Sequence, residues 1–336
     1  MPVLQLREEP VTTLPHHCNP RSGRFLSPPK ALESENVARP VLKPPPKSRR
    51  PSYLAVCALG ASVLALGVGK AAGAHAIQLT LAPYANTGLR TMEVSVSGHK
   101  SRFIFDTGGA ITVLTPKEAR YAGCVPFGEI TGFRADGGRV TTSRCGPVAL
   151  QIGRYRVNRG VAEFDLRKLL GKGAPPVGGI IALASFDGQA LTIDLAHDRV
   201  TIETRHSLAR RIRTMRPIKV RIVRDAGGGV VPFIKVRART GTLWMEVDSG
   251  NNGPVFLAPH AERQLGISIA EHGSRRLDLD VIGLGRVPVT VASRRIIYDG
   301  QLDPAFLRQI LLTIDLAHGQ AWAKFNTPSG RRPGVD

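Results

Sequence analysis

The chain has 336 residues, with 46 Lys plus Arg against 26 Asp plus Glu and a formal charge of +20. That length allows one large or two ordinary domains, and 42% hydrophobic residues exclude wholesale disorder. With 5% aromatics, 36 Gly and 25 Pro the composition favours many short strands over a helix bundle; 4 Cys are too few for a disulfide scaffold, and the lone strongly apolar segment excludes a polytopic membrane protein.

Residues 1–52 are basic and Pro-rich and keep no helical or strand period, which predicts a disordered tail. His16-His17-Cys18 has metal-ligand residue types but lies in that tail, and no metal site or cofactor is expected of the chain. Residues 53–76 hold the apolar run Tyr53–Gly69, preceded by Lys47, Arg49 and Arg50. Two small-x-small sites follow it, Ala72-Gly73-Ala74 and Ala74-His75-Ala76, and the whole reads as a secretory signal. The run falls short of the ~20 residues of a spanning helix. Export to a periplasmic or secreted location is therefore expected, the alternative being an uncleaved inner-membrane anchor. Val56 before Cys57 argues against a lipoprotein site. Signals normally lie at the very start of a chain, so initiation downstream of Met1 is expected. Beyond the signal Cys124 and Cys145 remain; an oxidising compartment invites one disulfide between them, and two buried thiols are the alternative.

From residue 77 onward the sequence repeats itself. LTIDLAH occurs at Leu191–His197 and again at Leu312–His318. Leu114–Gly123 matches Leu257–Gly266, and Phe105-Asp106-Thr107-Gly108-Gly109 matches Val247-Asp248-Ser249-Gly250-Asn251, in the same order. The halves are 77–204 and 217–327, joined by a basic solvated link at 205–216 and followed by a tail at 328–336. MEVSVSG, SRFIFD, PVALQIG, VPFIKVRA and VPVTVAS alternate as half-buried strands do. Pro116 to Gly123 and Pro259 to Gly266 carry the punctuation of one short helix each. LTIDLAHDRVTI and LTIDLAHGQAWAKF read as hairpins, with Asp194, His197, Asp315 and His318 as turn residues.

Each half thus holds an apolar strand ending in Asp, then a hydroxyl residue, then Gly. The strand orients the carboxylate. Thr107 or Ser249 can tie the loop through its hydroxyl, and Gly108 or Gly250 lets backbone N–H approach. If the halves pack as a pseudo-twofold pair, Asp106 and Asp248 face each other. Two close carboxylates share a proton, and such a pair can activate a water and donate to a carbonyl.

On these residues the chain resembles the pepsin and retropepsin superfamily, most closely its bacterial, exported, two-repeat aspartic peptidases. Phe103-Ile104-Phe105-Asp106-Thr107-Gly108-Gly109 and Met245-Glu246-Val247-Asp248-Ser249-Gly250-Asn251 carry the resemblance. It implies an all-β chain of two homologous β-barrel lobes related by a pseudo-twofold, with a few short helices. It implies peptide-bond hydrolysis by water held between Asp106 and Asp248, with Thr107 and Ser249 bonding across the lobes. It further implies a flap within Ile130–Ser143, with Phe133, Asp136, Gly137 and Gly138 near its tip, its base tied by Cys124 and Cys145 if these pair. A monomer is the default for a duplicated chain.

The sequence departs from the family at Gly109 and Asn251, at Glu246, and where Ala182 and Asp303 replace Gly behind each loop. A catalytically silent protein binding peptides or envelope components in its cleft is the alternative function. The expected partner is a peptide or protein, not a specific nucleic acid, with weak adhesion to anionic membrane surfaces as a side property. No G-x-S-x-G, H-E-x-x-H or G-x-x-x-x-G-K-S/T motif offers another hydrolase route.

Overall fold

The structure is a computed structural model that describes residues 75–171 and 173–326. The tail at 1–52, the signal segment up to residue 74, His16-His17-Cys18 and the tail at 328–336 lie outside the described residues. No helix among the described residues is long and apolar enough to cross a membrane.

The first half builds a sheet in which Arg90–Val96, His99–Asp106, Gly179–Ala182, Val113–Leu114, Tyr155–Glu163 and Arg139–Ile152 are successive neighbours. Ser95 and Val96 pair with Gln151 and Leu150, joining the first of these strands to the last and closing a barrel. The second half repeats the order with Val230–Arg237, Thr242–Val247, Gly300–Leu302, Val255–Leu257, Gly285–Ser293 and Ser274–Val281. There Val236 and Arg237 close the ring against Val281 and Asp280. Closure leaves these twisted strands without free edges. The fold is all-β and two-lobed, with only short helices.

The third sheet has six strands, ordered Ile77–Thr80, Arg199–Glu203, Ala190–Asp194, Ile310–Asp315, Gln320–Phe325 and Arg216–Ile218, and draws from both halves. Its centre is the LTIDLAH repeat meeting itself. Leu191, Thr192 and Ile193 pair antiparallel with Ile314, Thr313 and Leu312. The equivalent hydroxyls of Thr192 and Thr313 touch at 2.8 Å, fully buried, which places the pseudo-twofold axis between them. The hairpins turn at Asp198 (φ 52°) and Gly319 (φ 64°), and Asp315 Oδ1 accepts from the N–H of Ala317 and His318.

The basic link at 205–216 holds a helix and the start of a short strand. Arg205–Arg211 is a helix capped by a Thr204–Ser207 capping box, and Arg211 pairs with the buried Glu203. Helix-starting chemistry at Thr204 was hidden by the density of Arg around it. Cys124 and Cys145 form a disulfide with Cα atoms 5.6 Å apart.

Gly179 and Gly300 start the strands that run parallel to the Asp-bearing strands. A Cβ on Gly179 would sit 2.2 Å from Val113 O and 2.3 Å from the Phe103 ring; on Gly300 it would sit 2.5 Å from Met245 Cε and 2.7 Å from Phe256 O. Backbone cannot yield inside a closed barrel. Gly179→Ala and Gly300→Ala should each cost about 1–3 kcal/mol through overpacking. Urea unfolding measures this, and an unchanged midpoint would contradict the close approach.

Candidate functional site

The strands His99–Asp106 and Thr242–Val247 deliver their loops to one place between the lobes. The outer part of the first strand alternates in exposure while Phe103, Ile104 and Phe105 are buried. Asp106 and Asp248 therefore emerge from rigid, packed backbone.

Thr107 Oγ1 donates to Val247 O at 2.5 Å and accepts from Ser249 N–H at 3.0 Å. Ser249 Oγ donates to Phe105 O at 2.9 Å and accepts from Thr107 N–H at 3.0 Å. Both side chains are buried. The arrangement is twofold symmetric.

The glycines lie flat against the opposite acids. A Cβ on Gly108 would be 2.7 Å from Asp248 Cγ, and one on Gly250 would be 2.5 Å from Asp106 Cγ. Each also caps its own loop, Gly108 N–H donating to Asp106 Oδ1 at 2.9 Å and Gly250 N–H to Asp248 Oδ1 at 2.8 Å. Gly109 has no room for a side chain either, since its Cβ would lie 2.9 Å from Asp106 Oδ2. Asn251 turns away from the acids, with its amide bonded to Pro254 O and Gly253 N–H. Ala182 N–H donates to Thr112 Oγ1, and Asp303 caps the helix Pro304–Gln309 by accepting from Phe306 N–H at 2.8 Å.

The second lobe adds a third acid. Glu246 is buried two residues before Asp248, and Gln301 Nε2 donates to Glu246 Oε2 at 2.6 Å and to Asp248 Oδ2 at 3.0 Å. In the first lobe the equivalent cross-strand pair is Ile104 with Ile180, whereas here it is Glu246 with Gln301. Gln301 has no role in the sequence reading. Its signal was available: two apolar positions on paired strands turn polar together in one half only.

All three acids resist ionisation. Desolvation raises Asp106 above the ordinary carboxylate range against the pull of the Gly108, Gly109 and Gly250 N–H groups. Desolvation, then the charges of Asp106 and Glu246, raises Asp248 well above that range. Burial lifts Glu246 to about 8. Tyr298 lies close enough that burial, then Glu246 and Asp248, push it up to about 12.

The hairpin expected as a flap is formed by Phe127–Phe133 and the start of Arg139–Ile152. Its turn places Gly137 at φ +82°, with Gly138 N–H bonded to Asp136 Oδ1. The tip reaches the second lobe: Ile297 N–H donates to Ala135 O at 2.8 Å, and Arg294 lies 3.8 Å from Asp136. Phe133 is exposed. Cys124, Cys145 and Glu163 cluster within 4.8 Å, but the sulfurs are bonded to each other and offer no thiolate pair to a metal.

No family model matches the chain, and no curated protein matches it. Among solved structures it is similar to conglutin gamma, a basic 7S globulin from lupine seeds, at 9% identity and a TM-score of 0.51, over 75% of this chain and 95% of that one. Soybean basic 7S globulin aligns at 11% identity and a TM-score of 0.49 over 74% and 94% of the two chains. Edgp aligns at 10% identity and 0.49 over the same shares. Identities this low show the fold, a two-lobed pepsin-like architecture.

These findings correct the expectation of a bacterial exported aspartic peptidase and of peptide-bond hydrolysis. The likeness found is to a basic 7S globulin. The site supplies the physical reason. A hydrolytic pair needs one ionised carboxylate and outer oxygens free to hold a water. Here Gln301 takes one acceptor site of Asp248 Oδ2, and Glu246 sets a third buried acid beside the pair.

Two outcomes follow from this geometry. Ser249→Ala leaves Thr107 N–H and Phe105 O buried without partners and should cost about 1–3 kcal/mol in chemical unfolding. An unchanged stability would mean the lobes do not depend on this exchange. The second concerns pH. Glu246 stands at about 8 in the folded chain against an ordinary 4.5, so between those values only the folded state holds the proton. Its contribution is full below about pH 4.5, falls as pH rises and is lost above about 8. Glu246→Gln should flatten the melting temperature across that window and raise it at the alkaline end. An equal slope in the variant would place the titrating group elsewhere.

Proposed function

We propose that the protein is a non-catalytic binder of extended peptides, held between its lobes beneath the first-lobe hairpin. The observation that carries this reading is Gln301 donating to both Glu246 and Asp248. Burial raises all three carboxyl groups, and a protonated member of the cluster offers a donor to a peptide carbonyl. The strand Phe127–Phe133 is a sheet edge, so an extended backbone can add to it, with Phe133 and Ile297 as apolar contacts near the tip. The Cys124–Cys145 disulfide supports a place in an oxidising compartment, and hence export. One chain carries both lobes, which supports a monomer. The basic surface supports weak, salt-sensitive adhesion to anionic membranes.

The test is retention against cleavage. The full chain is incubated with a mixed peptide library from about pH 4 to pH 7, and bound and free pools are read by mass spectrometry. Intact peptides should be retained, and Phe133→Asp should weaken retention about tenfold or more. Cuts that vanish in Asp106→Asn would overturn the reading, as would the absence of any retained peptide.

A further inference from the structure

A second cluster lies outside the interlobe site. His99 and Ser101 share one face of their strand, two residues apart. The helix Pro116–Tyr121 crosses that face and presents Glu118 and Tyr121, one turn apart. The His99 ring stacks on Tyr121 with centroids 3.9 Å apart. His99 Nε2 is 3.7 Å from Glu118 Oε1, beyond hydrogen-bond distance.

Glu118 is 2% exposed, and its Oε2 has no partner. Ser101 Oγ is also buried without one. Both groups close on Gly178, where a Cβ would lie 2.2 Å from Ser101 Oγ and 3.0 Å from Glu118 Cγ. A carboxylate oxygen so placed is costly unless something satisfies it. The nearby ammonium groups are engaged elsewhere: Lys117 lies over the Tyr121 ring at 6.0 Å, and Lys100 pairs with Glu93 at 2.8 Å. Glu262 of the second lobe also has a lone oxygen, but no imidazole pairs with it among the described residues.

We propose that His99, Glu118 and Ser101 form a site for a divalent first-row transition cation. His99 Nε2 and the Glu118 carboxylate are the ligands, and the Ser101 hydroxyl and solvent complete the shell. Two ligands on a tetrahedral zinc stand about 3.3 Å apart, so a shift of well under 1 Å converts the observed spacing into a bite. An imidazole with a carboxylate suits zinc, cobalt or nickel better than magnesium or calcium. The Tyr121 stack holds the ring in place, and the exposed side of His99 is the entry path.

The probe is zinc itself, titrated by calorimetry into the full chain after chelation and dialysis, with thermal unfolding in parallel. His99→Phe keeps a ring on Tyr121, and Glu118→Gln keeps the shape of the side chain. The wild type should take one more zinc equivalent than either variant and gain a melting-temperature rise that both variants lose. Equal stoichiometry and equal stabilisation in all three proteins, as tail ligands alone would produce, overturn the proposal. So does a wild type that takes no zinc, since water would then satisfy the two orphan atoms.

Discussion

The structure depends on two hydroxyls that trade places. Thr107 and Ser249 each reach into the other lobe, donate to a carbonyl and accept from an N–H. No exchange of this kind can form within one half, because each hydroxyl's partners lie about 140 residues away. It fixes the separation of the two loops and forces Gly108 and Gly250 flat against the opposing carboxylates. The Thr192–Thr313 contact marks the same axis in the six-stranded sheet. Twofold order is thus pinned at two depths by hydroxyls in buried surroundings, where an unmade hydrogen bond is expensive.

Much of this was legible in the sequence because duplication turns weak signals into strong ones. One D-T-G tripeptide is a common turn, whereas two at matched positions in alternating segments locate facing loops. The strands around MEVSVSG and SRFIFD and the helices from Pro116 and Pro259 were readable from period and punctuation. Barrel closure was legible only through the family resemblance, because it rests on a few long-range pairs such as Val96 with Leu150 that no local pattern reports. The helix at Arg205–Arg211 was masked by charge, which says nothing of capping. The contact of Ala135 with Ile297 was equally hidden, since no local pattern reports what a hairpin tip touches.

The site was legible in position and misread in chemistry. The two acids and their glycines stand together, and Glu246 was visible as a departure. What the sequence reading lacked was the partner strand. Glu246 next to Asp248 suggests only a crowded charge. With Gln301 opposite, it becomes a buried, hydrogen-bonded unit whose proton is held by burial against the pull of the amide. A neutral carboxyl group is a donor as well as an acceptor, which an ionised one is not.

The asymmetry between the halves therefore carries more information than their likeness. Symmetric positions such as Gly179 and Gly300 answer to packing, because both barrels need backbone to pass where no Cβ fits. Asymmetric ones must answer to something local. Ile104 and Ile180 keep the first lobe's side of the site apolar, while Glu246 and Gln301 make the second lobe's side polar without exposing it. A buried polar pair on one lobe is a desolvation cost with no packing return. Its place against Asp248, and not elsewhere in the barrel, ties that cost to the paired carboxylates.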